Sequence, residues 1–104
     1  MKSYSENFNN AGSNSVGQVD KINSIGKNDD MPRKSDPNSV TKKVVGGIVK
    51  TERYFDKNGE PYLDIDYTDH GNPKRHPIVP HEHSIDISNG EFYREPNGRK
   101  IKWR

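Results

Sequence analysis

The four histidines of the chain, His70, His76, His81 and His83, fall within one fourteen-residue stretch. An imidazole titrates near neutral pH, so it can give or take a proton there, and its ring nitrogens ligate transition metals. In a strand, residues i and i+2 point the same way, so His81-Glu82-His83 would set two rings side by side. Such a pair can hold a metal, with His76 or His70 completing a three-ligand site. It can also divide acid and base roles. The plainest alternative is packing at the edge of a face shared with Ile85 and Ile87.

Lys74-Arg75-His76 sets two fixed cations beside an imidazole. Cations so placed hold a phosphate and stabilise negative charge developing on it. A nearby histidine can then remove a 2′-hydroxyl proton or protonate a leaving oxygen, which cleaves RNA without a metal. The alternative is an exposed basic loop. Asp64 and Asp66 share a strand face, and Asp69 follows closely. They form either a carboxylate cluster for a magnesium-type ion or, as the alternation favours, aspartates on the wet face of a half-buried sheet. A divalent metal, zinc or magnesium, is thus the alternative to metal-free chemistry. The chain has no phosphate-cradling GxxxxGK[ST], dinucleotide GxGxxG, HExxH or GxSxG motif. It has no cysteine, which removes disulfides, thiolate zinc sites and a cysteine nucleophile.

These residues must be positioned by a small domain. Only 27% of the 104 residues are hydrophobic and 31% are charged, far from the roughly 45–50% apolar usage of globular domains. Residues 1–40 hold seven Asn and seven Ser. They read as a flexible lead-in, with one weak amphipathic helix suggested by Val16, Val19, Ile22 and Ile25. Residues 41–104 read as the β-rich functional domain. Val44 to Val49 is a short β-branched run, and Lys50 to Phe55 alternates loosely. Asp56-Lys57-Asn58-Gly59 is a turn. Tyr62 to Tyr67 alternates strictly, with Leu63, Ile65 and Tyr67 facing one way and Tyr62, Asp64 and Asp66 the other. Residues 68–80 are a proline-rich loop. His81 to Ile87 is a strand, Ser88-Asn89-Gly90 a turn, Glu91 to Arg94 a strand, and Lys100 to Trp103 the last one. The expected fold is α+β or mainly β: an antiparallel sheet of four to five strands, one face covered, behind a mostly disordered or weakly helical N-terminal segment.

Charge is uneven. Residues 71–104 carry seven Lys/Arg against four Asp/Glu, while residues 44–70 carry three against six. A basic end can meet nucleic acid by phosphate neutralisation, although a mixed-charge soluble surface explains the same numbers. No apolar run approaches the ~20 residues of a membrane span, and the N-terminus lacks the apolar core of a secretory signal.

The ordered segments Asp36 to Val40, Arg53 to Gly59, Asp64 to Lys74, His76-Pro77 and Pro80 to His83 resemble the C-terminal modules of bacterial polymorphic toxins. These modules sit behind delivery proteins of the LXG, RHS and contact-dependent-inhibition types. The resemblance covers roughly residues 36–85. It implies a compact toxic domain, delivered from one bacterial cell into another's cytoplasm and blocked by a cognate immunity protein. Many such modules are nucleases, and several have helices preceding a four-stranded antiparallel sheet. Carried over by position, the residues at issue are Asp64, Asp66, His70, Lys74, His76, His81 and His83. The chain begins with methionine and lacks a delivery region, so it reads as an excised module or a free-standing protein.

The preferred reading is therefore a ribonuclease toxin with RNA as substrate. In it His76 and His81 or His83 act as acid and base, and Lys74 and Arg75 hold the phosphate. A histidine-rich β domain that binds a metal or a partner without catalysis is the second reading. An accessory protein of a mobile element is the third.

Overall fold

A computed structural model describes residues 15–67 and 80–101 of the protein. Seven strands are present there: β1 (Lys21–Ile25), β2 (Ser39–Val45), β3 (Ile48–Phe55), β4 (Pro61–Asp66), β5 (His81–Ser88), β6 (Glu91–Arg94) and β7 (Arg99–Lys100). They form one sheet in the order β1-β2-β3-β4-β5-β6, with β7 also pairing β5. The mainly-β expectation holds. Among the described residues there is no helix, and the sheet exceeds the expected four to five strands.

Where the weak helix was expected, Lys21–Ile25 runs as a strand, parallel to β2 with Ile22 opposite Val40. A three-residue apolar spacing over so short a stretch fails to nucleate a helix on its own, and an open sheet edge supplies a ladder of hydrogen bonds instead. A parallel pair needs a crossover of about a dozen residues or more, and residues 26–38 provide it. The division at residue 40 therefore runs through β2. The sheet is mixed, and not antiparallel throughout.

The hairpins follow local turn chemistry. Gly46 and Gly47 both have positive φ, 59° and 78°, as a two-residue turn matched to strand twist requires. They split the β-branched run from Val44 to Val49 into the ends of β2 and β3. The turn after β3 falls where expected: the Asp56 carboxylate accepts from the Asn58 and Glu60 amides at 2.8 and 3.0 Å. Asn89 and Gly90, at φ 52° and 79°, close the β5–β6 hairpin.

Strand pairing then sorts the side chains onto two faces. Tyr54 lies opposite Leu63 and Ile65 opposite Glu82. This face carries the apolar core of Val40, Tyr54, Leu63, Ile65 and Ile101, with Val16 and Val19 packed on it. Phe55, Leu63, Ile65, Ile85 and Ile101 are buried, whereas Ile48 is 60% exposed at the hairpin tip. Ile78, Val79 and Trp103 lie outside the described residues.

The other face is not solvated, contrary to expectation. It holds Thr41, Arg53, Asp64, Asp66, His81 and His83, all buried. The crossover segment before β2 lies across it: the Pro32 carbonyl accepts from Arg53 Nη1 at 3.0 Å, and the Arg33 guanidinium stacks 4.4 Å from the Phe92 ring centroid. Both faces of the sheet are covered, one by apolar side chains and one by paired charges.

Candidate metal centre

The centre of the polar face is built by register. β4 and β5 pair so that Asp64 lies opposite His83 and Asp66 opposite His81. With the two-residue period of each strand, all four side chains point to the same face. β3 adds Thr51 opposite Asp66 and Arg53 opposite Asp64. β6 adds Arg94, opposite Ile85.

Asp66 is the hub. Its Oδ2 lies 3.2 Å from His83 Nε2 and 3.8 Å from His81 Nε2. The same oxygen accepts from Arg94 Nη2 at 2.8 Å, and Oδ1 accepts from Thr51 Oγ1 at 2.9 Å. Burial alone would raise the Asp66 carboxyl, but the His83 hydrogen bond, the Arg94 charge and the Thr51 hydroxyl outweigh it and hold the group well below the usual carboxylate range. Beside it, Asp64 takes a two-pronged bond from Arg53, Nε to Oδ1 at 2.8 Å and Nη2 to Oδ2 at 2.9 Å. Arg94 Nε also donates to Asp64 Oδ2, at 2.7 Å. The aspartates expected on a wet face are 2% exposed. They are tolerated there because each faces a cation and further donors.

The imidazoles are set from behind by residues 95–98, between β6 and β7. His83 Nδ1 lies 2.7 Å from the Glu95 carbonyl oxygen. A carbonyl only accepts, so Nδ1 carries the proton and Nε2 is the nitrogen turned to Asp66. That nitrogen then meets the carboxylate in one of two ways: protonated, as an imidazolium, or with its lone pair directed at a cation held between them. Gly98 abuts the His81 ring so closely that a Cβ there would collide with Cδ2. The two rings stand edge to face, with centroids 4.9 Å apart.

The ligand atoms of Asp66, His81 and His83 all lie within 4.8 Å of one another. A tetrahedral zinc ion with bonds of about 2.0–2.2 Å sets its ligands roughly 3.3–3.5 Å apart. The 3.2 and 3.8 Å separations to Asp66 Oδ2 straddle that spacing. The remaining separation lies within 4.8 Å, so the three groups could close on one ion by a shift of the side chains. A ligating His whose other nitrogen donates to a carbonyl is the usual supporting arrangement of a metal site.

Of the residues singled out in the sequence, His81, His83, Asp64 and Asp66 come together. His70, Lys74, Arg75 and His76 lie outside the described residues, as does Asp69. Sequence reasoning missed Arg53, Arg94, Thr51, the Glu95 carbonyl and Gly98. Arg94 had a readable signal, since it continues the two-residue period of an expected strand; the others are selected only by register and by the loop after β6. A pocket of about 340 Å³ bordered by Gly17, Phe55, Asp56 and Tyr62 contains none of these residues.

No known family model matches the chain, and neither the curated proteins nor the solved structures include a significant match.

Proposed function

We propose that this domain binds a divalent transition-metal ion, zinc in preference to magnesium, through Asp66 and the Nε2 atoms of His81 and His83. The observation that carries the reading is the convergence of two buried imidazoles on one carboxylate oxygen, with the His83 proton held on the far nitrogen by Glu95. Two imidazoles and one carboxylate suit zinc; magnesium favours oxygen ligands and retained water. Three protein ligands leave a fourth position for water or an anion, the arrangement of catalytic sites more than of closed structural ones.

The test is metal content and stability of the purified full chain. One equivalent of zinc per chain is expected, with a melting temperature that rises on zinc addition and falls back with a chelator. Asp66→Asn and His83→Ala should each abolish the rise. If wild-type protein neither retains zinc nor responds to it, the reading is wrong.

RNA cleavage by a delivered bacterial toxin is the second reading. It draws on the resemblance to polymorphic-toxin modules and on the adjacency of the His81 and His83 rings. The metal reading is preferred because both side chains are almost fully buried, at 3% and 1% exposure, where an ion reaches them more readily than a polynucleotide. Growth arrest on expression, relieved by His81→Ala, together with RNA degradation by the pure protein, would support the toxin reading. Intact RNA after prolonged incubation would remove it.

A further inference from the structure

We infer that the tip of the β2–β3 hairpin docks on an anionic lipid bilayer, with Val44, Val45, Ile48 and Val49 entering the interface and Lys43 and Lys50 meeting the lipid phosphates. This stands apart from the metal reading, which uses none of these six residues.

The tip stands beyond the neighbouring strands. β1 accompanies β2 only as far as Lys43, and β4 accompanies β3 only from Thr51. Among the described residues, the segment 44–49 therefore has ladder partners only within its own hairpin, Val44 opposite Val49 and Val45 opposite Ile48. Successive rungs of a ladder point to opposite sides, so the tip is apolar on both. A hairpin arm that ends in water ordinarily carries polar side chains on its outer side. This one carries none between Lys43 and Lys50. Ile48 is 60% exposed, the turn residues Gly46 and Gly47 are exposed, and the three valines are half-buried. An apolar cluster of this kind marks an interaction surface.

The nature of the partner follows from the collar of the tip. Lys43 closes the apolar run on one strand and Lys50 on the other, where Lys50 is the extra residue at the register shift between β2 and β3. Both lysines are partly exposed, and neither is in an ion pair among the described residues. The carboxylates on the adjoining rungs, Glu52 opposite Lys42 and Asp66 opposite Thr51, are each 2% exposed, so they add little negative charge to the surface there. An apolar end behind a collar of cations matches a bilayer with anionic headgroups: apolar side chains enter the acyl boundary while ammonium groups stay at the level of the phosphates. A nucleic acid would engage the lysines and leave the valines and Ile48 uncovered. The dimensions agree. Three residues from lysine to turn, at about 3.3 Å each, span roughly 10 Å, and interfacial elements bury their apolar side about 5–10 Å deep. Deeper entry is opposed because the backbone amides of an exposed turn still require hydrogen bonds.

The experiment measures partition of the full chain onto vesicles by flotation, with phosphatidylcholine alone and with about one-third phosphatidylserine. Binding to the anionic vesicles at low salt is expected, with little to the neutral ones, and added salt should weaken it. A lysine near an anionic surface contributes about fivefold, so the Lys43→Gln, Lys50→Gln double variant should lower the partition coefficient about 25-fold. Ile48→Asn should lower it about tenfold. Ile48→Trp, which introduces a side chain that favours the interface, should raise it several-fold at an unchanged melting temperature, a result that loss of folding does not produce. Wild type that fails to bind anionic vesicles at low salt overturns the inference. So does binding that ignores both Ile48 variants, which leaves charge alone as its cause. Binding of duplex DNA through Lys43 and Lys50 without binding of vesicles assigns the tip to nucleic acid and overturns the inference. A dimer that Ile48→Asn dissolves, again without vesicle binding, assigns the tip to a second copy of the chain and overturns it equally.

Discussion

At the scale of single residues, the site is a set of buried charges that are stable only in company. Asp64 takes both prongs of Arg53, whose side chain is 8% exposed. Removing one member of such a pair strands the other, which typically costs about 3–5 kcal/mol, while replacing both with apolar residues of similar size is often near neutral. Asp64→Ala should therefore lower unfolding free energy by about that amount in urea titrations. The Arg53→Met, Asp64→Leu double variant should recover most of the loss. Asp66 adds a pH dependence of known sign. Its folded-state carboxyl is depressed below the ordinary value of 3.8, so the native state binds that proton less readily than the unfolded chain does. Its stabilisation is fully present above the unfolded value and is lost as pH falls through the folded one. The advantage of metal-free wild type over Asp66→Asn should narrow progressively as pH falls below about 4. An advantage that does not change between pH 7 and 2.5 would contradict this origin.

Among the elements, the strands present the candidate ligands and one short connection aims the two imidazoles. The turns at Asp56 to Gly59 and at Ser88 to Gly90 were legible in the sequence, because Asn and Gly there accept positive φ. The alternation of β4 and β5 was legible too, and it correctly set Asp64 with Asp66 and His81 with His83. The connection at residues 95–98 was not legible as a support for the site. Its roles, a carbonyl for His83 and a bare α-carbon for His81, depend on what lies across the sheet. Gly98→Ala should displace the His81 ring and weaken zinc binding by about 10–100-fold, the usual cost of disturbing a supporting residue. Chelator competition on folded protein measures it, and an unchanged affinity would show that Gly98 does not seat His81.

On the scale of the whole molecule, a chain with few apolar residues buries both faces of its sheet by two different means. One face uses the hydrophobic cluster around Leu63 and Ile65, to which Val16 and Val19 belong. The segment bearing them is further tied down where Tyr62 Oη accepts from the Gly17 amide at 2.8 Å and Ser15 Oγ donates to Glu82 at 2.8 Å. A Val16→Ala, Val19→Ala double variant should lose about 2 kcal/mol, less than two fully buried valines would because both are partly exposed. A shift in thermal midpoint of several degrees reports it, and no shift would mean this segment contributes nothing to the domain. The apolar tally underestimated the sheet because the second face is closed by ion pairs, which hydropathy counts as surface.

By itself the sequence determined the β character, most of the turns and the sharing of faces within each strand. These follow from φ preferences and the two-residue pleat, which are properties of a few neighbouring residues. Tertiary structure decided that Asp66 lies opposite His81 rather than one residue away, that Arg53 and Arg94 arrive from β3 and β6, and that residues around Pro32 cover them. Register between distant strands is set by closing loops and burying the apolar face as a whole, and a slip of one residue would have turned both histidines to the other side. The histidine pair was visible in the sequence, but the carboxylate that makes it a candidate metal centre became its partner only through that register.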